Sequence, residues 1–441
     1  MSLALLAHQA PGFQAIGFSP GLLLYLTVTV LVVATLAFRV GWGEARFGPA
    51  AAAAPDDTAW PGDAMGPGPR TVLRAVGLAG LVFVLVCGWA GSDQVAVNPT
   101  TISVFWGFWL GGQAASVLLG DWWRAMDPFD TLAAFVDRSP AAEPADDGAD
   151  GDRDWWVPAA LLASFAWVWL AWIDGIDPRS AAGWITLYTA VMVIGAVRGG
   201  RAWVRRNEAF GVAFGLMAAA SPIDWSGLRP RLRNPLRGLA ERVVSRRDLA
   251  VLVVVIGTFL FDAVGSSQWW ADLVGNRSVT VSSVWNTVGL AWLVLLAGVA
   301  WIGAARLAER LAGDHGHEVP AELALAAPLA LLAACCAVAH EVSSLLVNGQ
   351  YLVALLSDPL YQGWNLLGTG RYQADPLLLA AGTQAWMSLV LVELGLLGLF
   401  VALYDRSAAR YGASGAARAA WAVLAFAVVA AVAALKVLLR V

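Results

Sequence analysis

Charge is what this 441-residue chain has least of: Asp, Glu, Lys and Arg make up 14% of it, against about a quarter in ordinary soluble domains. That shortage excludes a set of soluble domains as the main architecture. Lysine is almost missing, with Lys436 alone among arginines. The three cysteines, Cys87, Cys335 and Cys336, all fall inside apolar runs, which excludes a disulfide framework and reads as small buried hydrophobes. Four histidines are too few for a histidine-rich two-metal hydrolase centre of the usual kind. Walker loop, HExxH, GxSxG elbow and CxxC are all absent, so no standard catalytic signature is present. The opening MSLALLAHQAPGF has no basic region, and its apolar core is shorter than a secretory signal needs, so it reads as an uncleaved leader or a clipped signal peptide.

What the chain does have is hydrophobic length. Residues are 59% hydrophobic, and the apolar runs approach the ~20 residues that cross a ~30 Å hydrocarbon core. Periodicity predicts an all-α, polytopic transmembrane bundle of about ten spans: 20–39, 71–91, 98–120, 155–173, 180–197, 249–266, 280–305, 321–346, 377–403 and 416–438. With the N-terminus outside, 23 basic residues lie in inner loops and five in outer ones, as the positive-inside bias requires. The expectation is therefore a multi-pass protein of the plasma membrane, N-out and C-out, forming a single membrane domain over 1–441.

Several segments stand apart from the spans. Residues 121–138, with Trp122, Trp123 and interspersed charges, predict an inner amphipathic helix in the headgroup plane. Residues 139–154 read as an acidic linker. Residues 221–248 carry seven arginines; attraction to anionic lipid headgroups explains them better than nucleic acid, which is not expected as a partner. Paired tryptophans such as Trp155-Trp156 and Trp269-Trp270 fit an aromatic belt. Val84–Gly112 faintly resembles Thr258–Trp292, and a true repeat there would be parallel rather than inverted. Gly107 and Gly111 form a small-xxx-small pair for close helix packing.

Polar residues gather on the predicted outer side. His340 and Glu341 interrupt an apolar helix, and an acid at such a depth costs roughly 2.5–3.5 kcal/mol at mid-span unless it is paired, neutral or wet. Asp262, near the outer end of its span, is the natural neighbour, so His340, Glu341 and Asp262 are the candidate catalytic group; a structural hydrogen-bond knot is the alternative. Candidate binding residues are Asn98, Asn348, Gln350, Asp358, Asn365 and Glu393. Glu393 is the deepest acid, either bonded to another helix or marking a proton or cation path. Cys336 and His340, four apart, offer a soft sulfur and an imidazole to copper or zinc, although two ligands alone make no site. His315, His317 and Glu318 fall in an inner turn and read as a solvated loop. Residues 347–376, punctuated by Asp-Pro and Gly-Thr-Gly, predict an outer re-entrant or lid segment.

The ordered set NPTTISVFWGFWLGG, GDWWRAMDPF, SPIDWSGLRPRLRNPLRGL, FDAVGSSQWW and GQYLVALLSDPLYQGWNLLGTG, spread over Asn98–Gly370, resembles the fenitrothion hydrolase-like family of polytopic membrane proteins. The resemblance implies a membrane fold and a phosphotriester hydrolase activity, and transfers no catalytic residue. The chain departs from the family where relatives read Ala-His-Asp-Arg and it has Leu403-Tyr404-Asp405-Arg406. It departs again at Leu396, near which relatives carry a histidine; His8 matches the residue at which many relatives begin.

Three functions follow as expectations: transport or binding of a small solute or ion in the outer half; hydrolysis of an apolar phosphotriester with His340 as general base; and a scaffold or assembly factor docking partners on its inner segments.

Overall fold

An apolar run satisfies its backbone polar groups most completely by coiling on itself, and helix accordingly dominates the computed structural model. The structure describes residues 19–42, 44–47, 67–136, 154–225, 230–275, 277–313, 316–375 and 378–439. The acidic linker, apart from Asp154, and His8 lie outside them.

The chain runs through α1 (Pro20–Gly41), α2 (Pro67–Ala90), a turn Pro99–Thr101, a π-helix Ile102–Leu110 and α3 (Gly111–Leu119). Next come α4 (Trp122–Met126), α5 (Pro128–Val136), α6 (Val157–Leu170), α7 (Pro178–Asn207) and α8 (Ala209–Met217). After the two-residue strands β1 (Ile223–Asp224) and β2 (Arg231–Leu232), which pair antiparallel with Ile223 opposite Leu232, lie α9 (Pro235–Glu241), α10 (Arg246–Gly265) and α11 (Gln268–Val274). The chain closes with α12 (Val279–Ala312), α13 (Ala321–Ala324), α14 (Pro328–His340), α15 (Val342–Leu355) and α16 (Ala381–Leu439).

Local chemistry sets the ends. Ser245 and Asp248 form a reciprocal capping box at the start of α10, the arrangement that satisfies two orphan N–H groups at once. Ser278 caps α12, and Gly313 ends it with φ 71°, the left-handed conformation that favours glycine.

Seven helices among the described residues are long and apolar enough to cross a membrane, or eight if α14 and α15 form one bent crossing. Each of the ten expected segments contains helix, with two departures in length and continuity. α6 has only 14 residues, short of the ~20 needed to span. The expected spans 377–403 and 416–438 form one 59-residue run, α16, interrupted at Gly412 with φ 67° and ψ 177°. The rings of Phe400 and Tyr404 lie 5.7 and 5.5 Å from Phe38, while the next residue, Arg39, sits over Trp421 at 5.1 Å. Residues on both sides of Gly412 thus lie level with the same end of α1, so the run doubles back there. The core is built around α14, which packs against α16, α10 and α3.

Three expected segments differ in form. Residues 121–138 are not one surface helix: α4 and α5 break at Asp127, and Trp123, Ala125, Asp127, Phe129 and Asp130 are buried, because Gly77 lets the backbone of α4 approach α2 where any Cβ would overlap Met126 O. The basic stretch 221–248 folds into the hairpin and α9. Its Arg233 donates to the carbonyls of Ala218, Ala219 and Ser221 instead of reaching outward, and burial lowers its pKa. The re-entrant or lid segment expected over 347–376 begins as helix: its residues up to Leu355 belong to α15, and turns follow.

Buried polar groups tie the helix ends together. Arg406 donates to the carbonyls of Ala324 (2.6 Å), Leu239 and Ala240 (both 2.8 Å) and Arg242 (3.1 Å). Asp405 accepts from Trp42 Nε1 and from the backbone of Arg46 and Phe47. Asp130 collects Arg74, Arg201 and Arg205. Burial works against its ionisation, but the Arg201 and Arg205 guanidiniums overcome that and hold its carboxyl below the usual range. Asp127 has no such cation: burial, with the Glu208 and Asp130 carboxylates nearby, pushes it well above the usual range.

The two neighbours should therefore respond oppositely. A carboxyl raised in the fold makes the protein less stable as pH climbs from the unfolded pKa toward the folded one, whereas a depressed carboxyl supplies stability that disappears as pH falls through its folded value. Asp127→Asn, which keeps the cap to Phe129 N, is expected to raise the melting temperature at pH 8 and flatten its pH dependence; Asp130→Asn is expected to destabilise by about 3 kcal/mol at neutral pH. Thermal melts of the detergent-purified variants from pH 5 to 8 check both, and a lower melting temperature for Asp127→Asn at pH 8 would contradict the first.

Candidate functional site

The apolar stretch PLALLAACCAVAH coils without interruption to His340. At Glu341 the backbone leaves helical geometry (φ −107°, ψ 15°), and α15 resumes at an angle of 68° to α14. Neither Pro nor Gly stands at the break, the usual local causes of a sharp kink. The backbone remains bonded across it: Glu341 N donates to Ala337 O and Glu341 O accepts from Leu345 N. The chain bends through one residue, and that residue carries a carboxylate into the core.

Asp262, one turn before the end of α10, faces the break. His340 Nε2 lies 3.8 Å from Asp262 Oδ2 and 3.6 Å from Glu341 Oε1. One ligand atom from each of the three residues falls within 4.8 Å of the others. Their side chains are 4% (His340), 9% (Asp262) and 5% (Glu341) exposed, and the Phe259 ring stands edge-on to the imidazole at 6.2 Å. Donors of a tetrahedral zinc site with ~2.1 Å bonds are separated by about 3.4 Å, so the two measured separations are within a few tenths of an ångström of that spacing. One imidazole nitrogen and two carboxylate oxygens suit zinc, copper or a related divalent transition metal.

A fourth polar side chain lies on the Asp262 side of this group. Gln113, on α3, is fully buried, and neither Nε2 nor Oε1 has a hydrogen-bond partner. It borders a cavity of about 10 Å³ together with Thr258, Asp262 and Ala337, about the size that holds one water. An amide left unsatisfied in a core is costly unless something transient meets it. Ahead of Gln113 runs the nine-residue π-helix, against which α15 packs; such wide turns recur at functional sites. Sequence reasoning passed over Gln113, although a lone amide in the apolar run GFWLGGQAASVLL was the available signal.

The remaining expected site residues are placed as follows. Asn348 is buried on α15, two turns beyond Glu341, with Nδ2 lacking a partner. Asn98 is not drawn into the group: it donates to Cys87 O and Ser92 O and accepts from Thr100 N. Gln350 bonds Leu346, Tyr372 and Asp375; Asp358 accepts from Gln362 N and Gly363 N; Asn365 accepts from Ser357 Oγ and Gly370 N. These three brace the turns after α15. Glu393 accepts from Thr27 Oγ1, linking α16 to α1. Cys336 lines a separate apolar cavity of about 110 Å³ beside Phe426 and Trp301, and it is not part of the three-donor group.

No protein-family model, curated protein or solved structure matches the chain.

Gln113→Leu separates structure from function. Replacing an unsatisfied buried amide with an apolar side chain of similar size is neutral or stabilising, so the melting temperature is expected to hold or rise. If the amide serves a bound ion, zinc affinity falls about tenfold at the same time, the lower end of what loss of a supporting group costs. Melts and zinc titrations of wild type and variant give the two numbers; unchanged affinity would leave Gln113 outside the site.

Proposed function

We propose that the protein is a multi-pass plasma-membrane protein that binds a divalent transition-metal cation at Asp262, His340 and Glu341 and carries it in transport. The observation behind this reading is the convergence of three buried donors at a break between two half-helices. Interrupted helices recur in transporters because a substrate can be held where the backbone departs from regular helix inside the protein. Two buried carboxylates are costly without a counter-charge, and a divalent cation offsets both. His340 supplies the borderline nitrogen that favours zinc or copper over magnesium or calcium.

The phosphotriester hydrolase suggested by resemblance asks more of this site. His340 Nε2 stands beyond hydrogen-bond range of both carboxylates, whereas a general base is normally aligned by one. The cavity beside Asp262 is about 10 Å³, far from the several hundred Å³ typical of pockets for drug-sized ligands. Both features favour a small cation.

In this reading the N- and C-termini are outside and the site lies in the outer half. The distribution of arginines supports it. So do the ion pairs that link separate segments: Asp130 with Arg74, Arg201 and Arg205 joins inner segments, and Asp93 with Arg179 joins outer ones. Arg231, Arg237 and Arg246 are exposed, Arg237 paired with Glu241, and in this reading they face anionic lipid headgroups from the inner side.

Zinc titration of the full-length protein in detergent, followed by uptake into proteoliposomes, tests the proposal. Wild type is expected to bind zinc stoichiometrically and to load vesicles. His340→Ala and Glu341→Gln are each expected to lose at least about tenfold in affinity and to lose uptake in parallel. Wild type that binds neither zinc nor copper, or His340→Ala that binds as well as wild type, would overturn it.

A further inference from the structure

A third cavity, lined by none of the three donors at the helix break, has a different chemistry. It measures about 330 Å³ and opens between α2, the π-helix, α4, α5, α7 and α8. On α2 it extends from Val76 to Val84, about 12 Å at 1.5 Å per residue. Its size falls within the range of small-molecule pockets, about 300–1,000 Å³. The aromatic residues around it carry polar tips, yet those tips are engaged elsewhere. Tyr188 OH and Trp123 Nε1 donate to Glu208, Trp122 Nε1 to Gly112 O and Trp184 Nε1 to Ser164 Oγ. Ser103 adds one hydroxyl to a lining that is otherwise apolar, suited to an alkyl chain and offering these four donors to no polar ligand.

Charge lies immediately beyond one end. Phe129 lines the cavity, and its neighbour Asp130 gathers Arg74, Arg201 and Arg205. Arg70, Arg74, Gly77 and Val84 follow one another at helical spacing along one stripe of α2, so the basic residues continue the face that lines the cavity. Among the described residues, the guanidiniums of Arg74, Arg201 and Arg205 surround the Asp130 carboxylate. Asp130 is 1% exposed, whereas the arginines keep 21–26% of their side-chain surface accessible, so they have surface left for an approaching anion.

We infer that this is a binding site for one anionic phospholipid, with an acyl chain in the cavity between α2 and α7 and the headgroup phosphate against Arg74, Arg201 and Arg205. An apolar slot ending at clustered arginines matches such an amphiphile in both shape and sign, and guanidinium is the side chain best suited to a phosphate. The inference is independent of the metal reading, since it uses none of the residues at the helix break.

Native mass spectrometry of the full-length protein, incubated with equal amounts of phosphatidylglycerol and phosphatidylcholine, tests it. Wild type is expected to retain one phosphatidylglycerol in preference to phosphatidylcholine. Arg201→Gln is expected to weaken retention about fivefold, the effect of one basic residue near an anionic lipid. Because that change also disturbs Asp130, Gly80→Phe serves as the second variant: a Cβ at Gly80 meets nothing within 4 Å, so the ring can enter the cavity without displacing the backbone. Gly80→Phe is expected to keep the wild-type melting temperature and to lose the lipid, while His340→Ala retains it. Equal retention of both lipids by wild type, or undiminished phosphatidylglycerol on Gly80→Phe, would overturn the assignment.

Discussion

A polar group buried in this chain must find its partner inside the protein, because the hydrocarbon region for which its helices are suited supplies none. Most of the architecture follows from that constraint. Arg406 places one guanidinium among four carbonyls at the C-terminal ends of α9 and α13, joining pieces far apart in sequence around a single cation. Glu208 does the same as an acceptor, taking Tyr188 OH, Trp123 Nε1 and the backbone N–H groups of Phe210 and Gly211. Asn98 closes the turn between α2 and the π-helix using both ends of its amide. Each is a hydrogen-bonded joint between helices whose packing is otherwise largely apolar and weakly directional.

The helix break stands out against those joints. Around Glu341 the backbone is bonded, yet the amide of Gln113 and Nδ2 of Asn348 are not, and a histidine stands near two carboxylates at distances longer than hydrogen bonds. Proteins tend to violate their own rules of consistency at functional sites. The contrast within one molecule, with polar groups well matched at Arg406 and Glu208 and poorly matched at Gln113, is what singles out the break as the candidate site.

The sites of the two proposals divide the molecule by chemistry. In the first proposal the donors at the break are hard and borderline ligands, with a water-sized cavity beside Asp262, a combination that suits a small ion. The slot beside α2 is hydrocarbon bounded by arginine, which selects for an amphiphile. Glycine contributes to the second: Gly77 lets α4 close upon α2, and Gly80 leaves the cavity open.

Composition and periodicity were enough to determine an all-helical chain with membrane-length apolar runs, since both depend on local hydrophobicity and on spacing along one strand of sequence. The same reading singled out His340 and Glu341, because ionisable groups are conspicuous in an apolar helix, and it named Asp262 as their neighbour. It could not tell which other polar side chains are occupied by their own turns. Asn98, Gln350, Asp358 and Asn365 look alike in sequence to a ligand-binding residue, and only the folded chain shows each bonded to nearby groups. Nor did it find Gln113, or foresee that Trp123, Asp127, Phe129 and Asp130 would be buried. Those outcomes depend on which helix faces which, and helix faces meet through packing between residues a hundred or more positions apart, a long-range property that no local pattern encodes.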